Sequence, residues 1–407
     1  MEIINTIIGL GASVMMPIIF FVVGLIFRMG IGKSFKAGMT VGVGFVGVNM
    51  VINLLLDNLG PASKAMVNRL GLHLTTVDVG WPTASTVGWG TPIMVATVVG
   101  FLVINAIMVF CKLTKTIDVD IFNYWIFLQV GALVYAVTSN FWFAVIFTWV
   151  IFAIVLKVAD LTAPYIQKEY NLEGISFPHL AGLAWSPLAI AVNWIIDKIR
   201  KRFGAIGEPV VIGFILGLLI GVLAGYSPDK SVTLAINIAA AMVLLPKMID
   251  VLIEGLISVR DAAEKQLKIW FPNREFYIGM DTALLIGDSS VLATGLLLIP
   301  ITILLAFILP GNEMLPFADL ASLVFILALV TPFVRRNMFK MLIVGTLSVI
   351  IILYVGTDIA PWVTQSFTQS NIDLPKDFTA VTNMTGAVST WIGWVAVKIG
   401  ELFNMIA

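Results

Sequence analysis

Long apolar runs separated by short polar stretches extend along the whole chain. Residues 7–27 and 209–226 contain no charged side chain, and other runs of similar length follow the same pattern. A helix of about 20 apolar residues crosses the roughly 30 Å hydrocarbon layer of a bilayer. The runs are continuous, whereas the strands of a membrane barrel alternate in segments of about ten residues. The pattern therefore predicts an all-α, polytopic membrane protein with about ten helical spans.

Two stretches, 75–90 and 273–290, are too short and too broken by glycine, proline and polar residues to cross a bilayer alone. Each follows a segment with an amphipathic pattern, 61–74 or 259–271, which we expect to lie at the membrane surface. Non-helical backbone at membrane depth survives only when it is buried in protein or lines a wet cavity. We therefore expect two re-entrant hairpin arms, the first entering from outside and the second from inside.

The two arms match each other in sequence. VGWPTASTVG (79–88) and IGMDTALLIG (278–287) share the pattern [VI]-G-x-x-T-A-x-x-[VI]-G at an offset of 199 residues. Because further matches keep nearly the same offset, we interpret 1–203 and 204–407 as two repeats of about 200 residues. These further matches are Asp120 with Asp319, DLTAPYIQ (160–167) with DIAPWVTQ (358–365), and NWIIDKI (193–199) with GWVAVKI (393–399).

Basic residues in the short loops set the expected orientation, because cytoplasmic loops carry an excess of Lys and Arg. In the second half, the basic loops fall at positions whose equivalents in the first half are external. This pattern predicts an external N-terminus and two repeats of inverted topology, an arrangement typical of transporters. The prediction rests on Arg28, Lys33, Lys36, Lys112, Lys115, the IRKR segment at 199–202, Arg260, Lys265, Lys268, Arg274, Arg335, Arg336 and Lys340.

Composition and charge exclude several other functions. The chain of 407 residues is 59% hydrophobic and only 12% charged, and its net charge of zero gives no nucleic-acid footprint. The single cysteine, Cys111, excludes an internal disulfide, and one cysteine with two distant histidines cannot form a metal site. The sequence has no P-loop, which excludes ATP-driven transport by this chain alone. We expect neither a metal nor a bound cofactor.

Two aspartates in the second arm are the strongest candidates for function. Asp281 and Asp288 stand seven residues apart in IGMDTALLIGDSS (278–290), and on a continuous helix they would share one face. Ionisable residues inside a membrane are costly and mark substrate or ion pathways. The alternative is that each aspartate caps a helix, Asp281 within the arm and Asp288 before a helix that begins at Ser289. The two interpretations are compatible, because helix ends near the midplane are where transporters bind their substrates.

The first arm offers hydroxyl and indole groups instead of carboxylates. Thr83, Thr86 and Trp89 lie in VGWPTASTVGWGTP, together with Trp81. Such a mixture suits a neutral sugar or polyol, whose hydroxyls bind polar side chains and whose C–H face packs on an aromatic ring. The alternative for the tryptophans is an interfacial belt between water and lipid.

Four further polar residues lie outside the two arms. His179, in ISFPHLAGLAWSP, is a candidate ligand or proton carrier, or else a structural hydrogen-bond partner. Asn140 is a candidate site residue, or else a cap that breaks the long apolar stretch 122–158. Glu208 either caps the span that follows it or lines the cytoplasmic mouth. We expect His73 to lie at the membrane interface.

The second arm and its flanks resemble a known family. Residues 273–321 are similar to the membrane subunit, enzyme IIC, of the galactitol-type bacterial phosphotransferase system, most specifically in REFYIG (274–279) and PGNEMLPFADL (310–320). FPHLAGLAWSP (177–187) and GEPVVIGFILGLLIG (207–221) agree with it, and the resemblance covers the whole chain. The related ascorbate-type transporters share inverted repeats, form homodimers and move their substrate by an elevator motion. The resemblance implies the same architecture here.

The resemblance also implies vectorial phosphorylation in the bacterial cytoplasmic membrane. A sugar alcohol enters from outside, and a phosphocysteine on a separate IIB subunit, recharged by a IIA subunit, phosphorylates it on the inside. This chain has no phosphocysteine loop, so it is expected to carry no phosphorylated residue itself. The remaining alternative is a secondary transporter that couples uptake of a small polar solute to protons or sodium through Asp281 or Asp288.

The expected site residues follow from the resemblance and from position. Asp288 is the candidate general base for the attacking hydroxyl, because its arm is expected to enter from the cytoplasmic side. Its carboxylate stands where we expect family members to carry a neutral residue such as Gln, which leaves open a substrate other than galactitol. The expected substrate contacts are Asp281, Asp288, Thr282, Ser289, Thr83, Thr86, Trp89, His179 and Asn140.

Overall fold

The computed structural model describes residues 12–71, 74–199, 209–272, 274–372, 374–375 and 378–406. Helices dominate this part of the chain. Six helical segments are long and apolar enough to cross a membrane, one of which (180–197) joins two successive helices, and a bent helix pair brings the number to seven, fewer than the roughly ten spans expected from the sequence. The chain is therefore a polytopic helical membrane protein, as the apolar runs predict. The described residues also contain three shorter apolar helices.

Fourteen helices are seen in the described residues. The first half contains α1 (Ala12–Ile26), α2 (Ile31–Leu70), α3 (Gly80–Gly90), α4 (Met94–Phe110), α5 (Tyr124–Thr138), α6 (Phe141–Tyr170), α7 (Leu180–Leu183) and α8 (Ser186–Ile199). The second half contains α9 (Pro209–Leu223), α10 (Pro228–Trp270), α11 (Ser289–Ile308), α12 (Val324–Ala328), α13 (Met338–Gln369) and α14 (Trp391–Ile406). Single 3₁₀ turns occur at Ile121–Asn123, Thr282–Leu284, Leu320–Ser322 and Thr331–Val334.

The longest helices, α2 and α10, pack against each other in antiparallel fashion. Gly44 faces Leu252, and Gly255 faces Val41, so residue numbers rise along one helix as they fall along the other. Small residues let two membrane helices approach closely. A hydrogen bond of 2.7 Å from Asn237 Nδ2 to the Asn58 side-chain oxygen adds a polar link between the two helices.

This packing corrects one expectation from the sequence. The amphipathic segments 61–74 and 259–271 do not begin separate interfacial helices, because most of each segment continues the preceding span as part of α2 or α10. Proline 61 lies inside α2 without ending it. Helix α1 packs on α2 and α9 packs on α10, so these four helices form one bundle, and α4, α6 and α13 pack on two small sheets.

Six short strands were not predicted from the sequence. They are β1 (Thr76–Asp78), β2 (Thr116–Asp118), β3 (Ile175–Ser176), β4 (Tyr277–Gly279), β5 (Met314–Leu315) and β6 (Ala380–Thr382). They form two parallel three-stranded sheets with the orders β5-β1-β6 and β2-β4-β3. In each sheet the central strand comes from one half of the chain and both flanking strands come from the other half. The pairing also satisfies backbone polar groups that would otherwise be costly inside a membrane protein.

The two expected arms are built differently from each other. The first consists of β1 and α3, and α3 meets α4 at a bend of 90°. The second consists of β4, the 3₁₀ turn Thr282–Leu284 and the start of α11. It contains no continuous helix, so Asp281 and Asp288 do not share a helix face. Asp281 instead caps the 3₁₀ turn Thr282–Leu284 and Asp288 caps α11, because their side chains accept the N–H groups of Ala283 and Ser290 at 2.9 and 2.8 Å.

Candidate functional site

A cavity lies between α2 and the ends of the two sheets. Both halves of the chain contribute to its wall, and side chains of very different chemistry face it. Apolar residues of α2 form one side, and polar and aromatic residues beyond the strands form the other. The lining residues are Phe45, Val48, Asn49, Ile52, Trp81, Asn123, Trp125, Ile126, His179, Asp281, Ala283, Phe325 and Thr385.

The strands explain why these residues meet. Trp81, His179 and Thr385 each follow a strand (β1, β3 and β6) by three residues, and Asp281 follows β4 by two. In a parallel sheet all strands point the same way, and ligands bind beyond their carboxyl ends. Because both sheets direct these ends to the same cavity, residues from distant parts of the sequence converge there.

Asp281 and His179 are the two ionisable side chains that line the cavity. The Nδ1 atom of His179 accepts the Gly182 N–H at 3.0 Å, so the histidine caps α7. Since Nδ1 is an acceptor, the proton of the neutral ring must be on Nε2, which leaves Nε2–H as a donor. The Asp281 carboxylate lies within electrostatic range of this ring. The pair therefore offers a donor and an acceptor to one ligand.

Two tryptophans add an aromatic wall with unused donors. The rings of Trp81 and Trp125 stack at a centroid distance of 6.4 Å with an angle of 30° between their planes. Both indole N–H groups are buried and donate to no atom of the described residues. A buried donor without a partner is costly, so an oxygen-rich ligand in the cavity would be stabilised by them. Oδ1 of Asp120 is also buried without a donor among the described residues, although Oδ2 accepts a bond from Asn123 at 2.7 Å.

Two fully buried carboxylates, Asp78 and Asp319, hold the loops that carry Trp81 and Thr385. Asp319 accepts the backbone N–H groups of Trp81, Met384 and Thr385 at 2.8, 3.0 and 3.0 Å. Asp78 accepts those of Gly80, Phe317, Asp319 and Met384 at 2.6 to 3.2 Å. The two aspartates thus fix cavity residues through their backbone.

The roles of these two aspartates were not predicted from the sequence. Asp319 entered only as a match to Asp120 in the internal repeat, and Asp78 was not a candidate. The available signal was the placement of Asp78 between two valines inside the first arm, in VDVGW. A carboxylate in that position has to find several donors if it enters the membrane.

Not all expected contacts come together in the cavity. Only Asp281 and His179 of the expected set line it. Thr282 is fully buried and lies beside Asp281, with its hydroxyl 3.4 Å from the carboxylate. Thr86 is exposed and donates to the Thr83 carbonyl at 2.7 Å. The remaining expected residues also lie outside the lining: Thr83, Trp89, Ser289, Asn140 and Asp288.

Asn140 has the structural role that was its alternative interpretation. Its side chain accepts the Phe143 N–H at 2.9 Å and caps α6, which begins at Phe141. The indole N–H of Trp89 is buried, with no acceptor among the described residues. His73 and Glu208 lie outside the described residues, and Cys111 is exposed at the end of α4. Within the described part of the chain, no cluster of three or more His, Cys, Asp or Glu side chains could hold a metal ion.

Asp288 lies outside the cavity and forms an ion pair. Its Oδ2 atom is 3.1 Å from Nε of Arg336, and the same Nε is 3.3 Å from a carboxylate oxygen of Glu169. The backbone oxygen of Glu169 also accepts a bond from Arg336 Nη2 at 2.8 Å. In this conformation Asp281 is therefore the carboxylate that a ligand in the cavity can reach, while Asp288 is held by a guanidinium.

The loops with the predicted cytoplasmic arginines and lysines contact one another. Lys115 pairs with Glu275 at 2.7 Å, and Arg260 donates to the Glu173 carbonyl at 3.2 Å. The hydrogen bond from Lys115 lowers the pKa of Glu275 and, in turn, raises the pKa of Lys115. Both side chains are largely exposed, so the pair contributes little to stability. The Lys115–Glu275 pair instead fixes relative position, since it joins the loop after α4 to the loop after α10.

Comparison with known proteins decides the family. A family model described as the sugar-specific permease component of the phosphotransferase system (PTS) matches residues 6–377. The chain belongs to this family. The PTS permease is 36% identical over 404 residues to the galactitol-specific EIIC component of Escherichia coli K12, covering 96% of this chain and 90% of that protein. The EIIC component of Escherichia coli O157:H7 matches to the same extent, and a protein of strain K12 named as a permease IIC component is 38% identical over 98% of this chain and 93% of its own length.

Proposed function

We propose that this PTS permease carries a galactitol-like polyol across the bacterial cytoplasmic membrane for phosphorylation by a separate IIB subunit. A IIA subunit would recharge IIB. The observation that carries the proposal is the cavity, where Asp281, His179 and the side chains of Trp81 and Trp125 line one space. The family and the names of its galactitol-specific relatives support the substrate class.

The chemistry of the lining suits a polyol. The Asp281 carboxylate accepts bonds from ligand hydroxyls, and the Nε2–H of His179 donates to a ligand oxygen. Bonds that involve a charged group are the stronger ones, at about 1.5–3 kcal/mol each. The stacked rings of Trp81 and Trp125 provide a flat apolar surface for C–H groups. Thr282, buried beside Asp281, orients the carboxylate.

Phosphorylation requires a base for the attacking hydroxyl. The polyol oxygen forms a bond to phosphorus, the P–S bond of the phosphocysteine breaks, and its electron pair remains on sulfur. The hydroxyl proton passes to a carboxylate, and we propose Asp288 for this step. Because Asp288 is paired with Arg336 in this conformation, its carboxylate can act as a base only when that ion pair opens.

We further propose that 1–203 and 204–407 are inverted repeats. Three observations support this architecture: the reciprocal exchange of strands between the halves, the antiparallel packing of α2 on α10, and the match of Pro164 in α6 with Pro361 in α13. Inverted repeats with an external N-terminus would place the basic loops of both halves on one side of the membrane, which accords with the contacts between these loops. We also propose that the protein is a homodimer, and that the part of each chain that contains the two sheets moves across the membrane in an elevator motion.

Transport into proteoliposomes tests the function. The vesicles contain the permease, and the phosphorylated IIB subunit of a galactitol phosphotransferase system is supplied on one side of the membrane. We expect labelled galactitol to appear on that side only as its phosphate. Accumulation of unmodified galactitol driven by a proton or sodium gradient alone would contradict the proposal and support ion-coupled transport.

A pair of variants localises the site. Asp281→Asn removes a charge from the cavity and is expected to weaken galactitol binding roughly 10- to 100-fold, since a bond to a charged group contributes about 1.5–3 kcal/mol. Asp358→Asn is the matched control, because Asp358 is a half-exposed carboxylate paired with Lys398 outside the cavity. Equal binding by the two variants would remove Asp281 from the site.

A further inference from the structure

The turn before α13 contains two successive arginines with unusual backbone angles. Arg335 and Arg336 have φ angles of 53° and 54°, in the left-handed region. Residues other than glycine adopt this region rarely, at a cost of roughly 1–2 kcal/mol each. Such conformations persist where the surrounding structure holds them, and they cluster at functional sites. The two arginines make different contacts.

Arg336 connects three elements, whereas the side chain of Arg335 makes no ion pair or hydrogen bond within the described residues. The Arg336 side chain reaches Glu169 on α6 and Asp288 at the start of α11. Its guanidinium also lies over the ring of Tyr170, with the carbon atom 4.8 Å from the ring centroid. The strained turn thus places this one cation beside the arm that carries both predicted carboxylates.

The guanidinium retains binding capacity. An arginine has five N–H donors in a planar fork. The ion pairs of Arg336 are made by Nε and the backbone contact by Nη2, while Nη1 has no partner among the described residues. The side chain is 42% exposed, compared with 9% for the side chain of Asp288. A docking partner can therefore reach the fork without displacing the backbone contact.

The proposed reaction needs such a group. A phosphoryl group in transit from sulfur to oxygen carries negative charge on its three peripheral oxygens, and catalysis depends on positioned cations that neutralise it. Arginine is well suited, because its fork binds two phosphoryl oxygens at once. Among the described residues, Arg336 is the basic side chain that is paired with Asp288.

We propose that Arg336 is the phosphoryl-binding residue of this permease, and that it exchanges Asp288 for the phosphoryl group of the docked phosphoprotein. This inference rests on the proposed function. The exchange frees Oδ2 of Asp288, which then accepts the proton of the attacking hydroxyl. The new O–P bond forms as the P–S bond breaks, and the electron pair of that bond leaves on the cysteine sulfur. The donor thus opens the ion pair that keeps the base occupied.

The test measures phosphoryl transfer and polyol binding separately. Arg336→Gln and Arg336→Lys are compared with Arg335→Gln, a matched control in which the adjacent left-handed arginine is changed. The assay follows transfer of labelled phosphate from the phosphorylated IIB subunit to galactitol, over a range of IIB concentrations. Binding of labelled galactitol is measured without IIB.

We expect Arg336→Gln to reduce the transfer rate by about 100-fold or more, the effect typical of removing one group that stabilises transition-state charge. Its galactitol binding stays at the wild-type level. Arg336→Lys keeps the charge without the fork, so its KM for phosphorylated IIB rises roughly tenfold. Arg335→Gln keeps its rate and KM within about a factor of three. Glu169→Gln, which removes a competing carboxylate, does not raise the KM.

Several outcomes would overturn the inference. One is transfer by Arg336→Gln at the rate of Arg335→Gln, and another is a wild-type KM in Arg336→Lys. If Arg336→Gln also loses galactitol binding, then its fold is disturbed, and the KM of Arg336→Lys decides. A purely structural ion pair predicts that Glu169→Gln behaves like Arg336→Gln. Failure of the wild-type protein to yield any phosphorylated polyol would instead refute the proposed function itself.

Discussion

The substitution Asp319→Asn tests how the buried carboxylates position the cavity. One carboxylate oxygen accepts the Trp81 N–H, and the other accepts those of Met384 and Thr385. An amide has one acceptor oxygen and one NH₂ group, which is a donor. Whichever way the amide turns, at least one backbone N–H of the three loses its acceptor and meets another donor.

The expected cost follows from these contacts. If the amide oxygen replaces the oxygen that accepts two bonds, then only the Trp81 bond is lost. Loss of one bond to a buried charged acceptor costs about 1.5–3 kcal/mol, and the opposite orientation loses two such bonds. Because the loops that Asp319 holds carry Trp81 and Thr385, we expect part of this cost to appear in ligand binding. A share of about 1.4 kcal/mol corresponds to a tenfold weaker affinity for galactitol.

The assay has two readouts on detergent-purified protein. Thermal unfolding reports the stability of the loops and the helices around them, and equilibrium binding of labelled galactitol reports the cavity. Asp358→Asn again serves as the control, because its exposed carboxylate accepts only surface contacts. We expect a lower Tm and a raised Kd for Asp319→Asn alone. Wild-type values of both quantities would refute the idea that Asp319 positions the cavity residues.

Two further predictions concern the indole donors and the helix bundle. Trp81→Phe retains an aromatic ring but removes the buried N–H, so we expect a loss of galactitol affinity of about tenfold. The control is Trp142→Phe, because Trp142 is exposed. Equal galactitol affinity of the two variants would exclude a hydrogen bond to the Trp81 indole. Gly44→Ala places a methyl group 2.5 Å from the Leu252 side chain and is expected to cost about 1–3 kcal/mol of stability. Gly60→Ala, in the same helix, meets no atom within 4 Å, so a Tm for Gly44→Ala that is not below that of Gly60→Ala would contradict close packing of α2 on α10.

The motifs REFYIG (274–279) and PGNEMLPFADL (310–320) indicated the family, and the apolar runs of the sequence were sufficient to predict the class of protein. The runs also marked 75–90 and 273–290 as segments that do not cross the membrane as ordinary helices. The capping alternative for Asp281 and Asp288 was available because Asp before a helix is a local signal. Features of this kind depend on neighbours within a few residues, which a sequence displays directly.

The sheets could not be predicted by the same means. Strands of two or three residues are too short to show the alternation that reveals a half-buried strand. Their partners lie far away in the chain, as in the pairing of Val77 with Leu315 and Val381. The roles of Asp78 and Asp319 depend on those pairings, since their donors come from three separate segments. The ion pair of Asp288 with Arg336 is equally non-local, and it changes how a base at this position would work.

The central claim is that a polyol binds where the two sheets end. The most direct measurement is an experimental structure of the permease with galactitol bound. We expect galactitol within hydrogen-bonding distance of Asp281 and of Nε2 of His179, with its C–H groups against the rings of Trp81 and Trp125. Galactitol bound elsewhere, with these four side chains out of contact, would contradict the account.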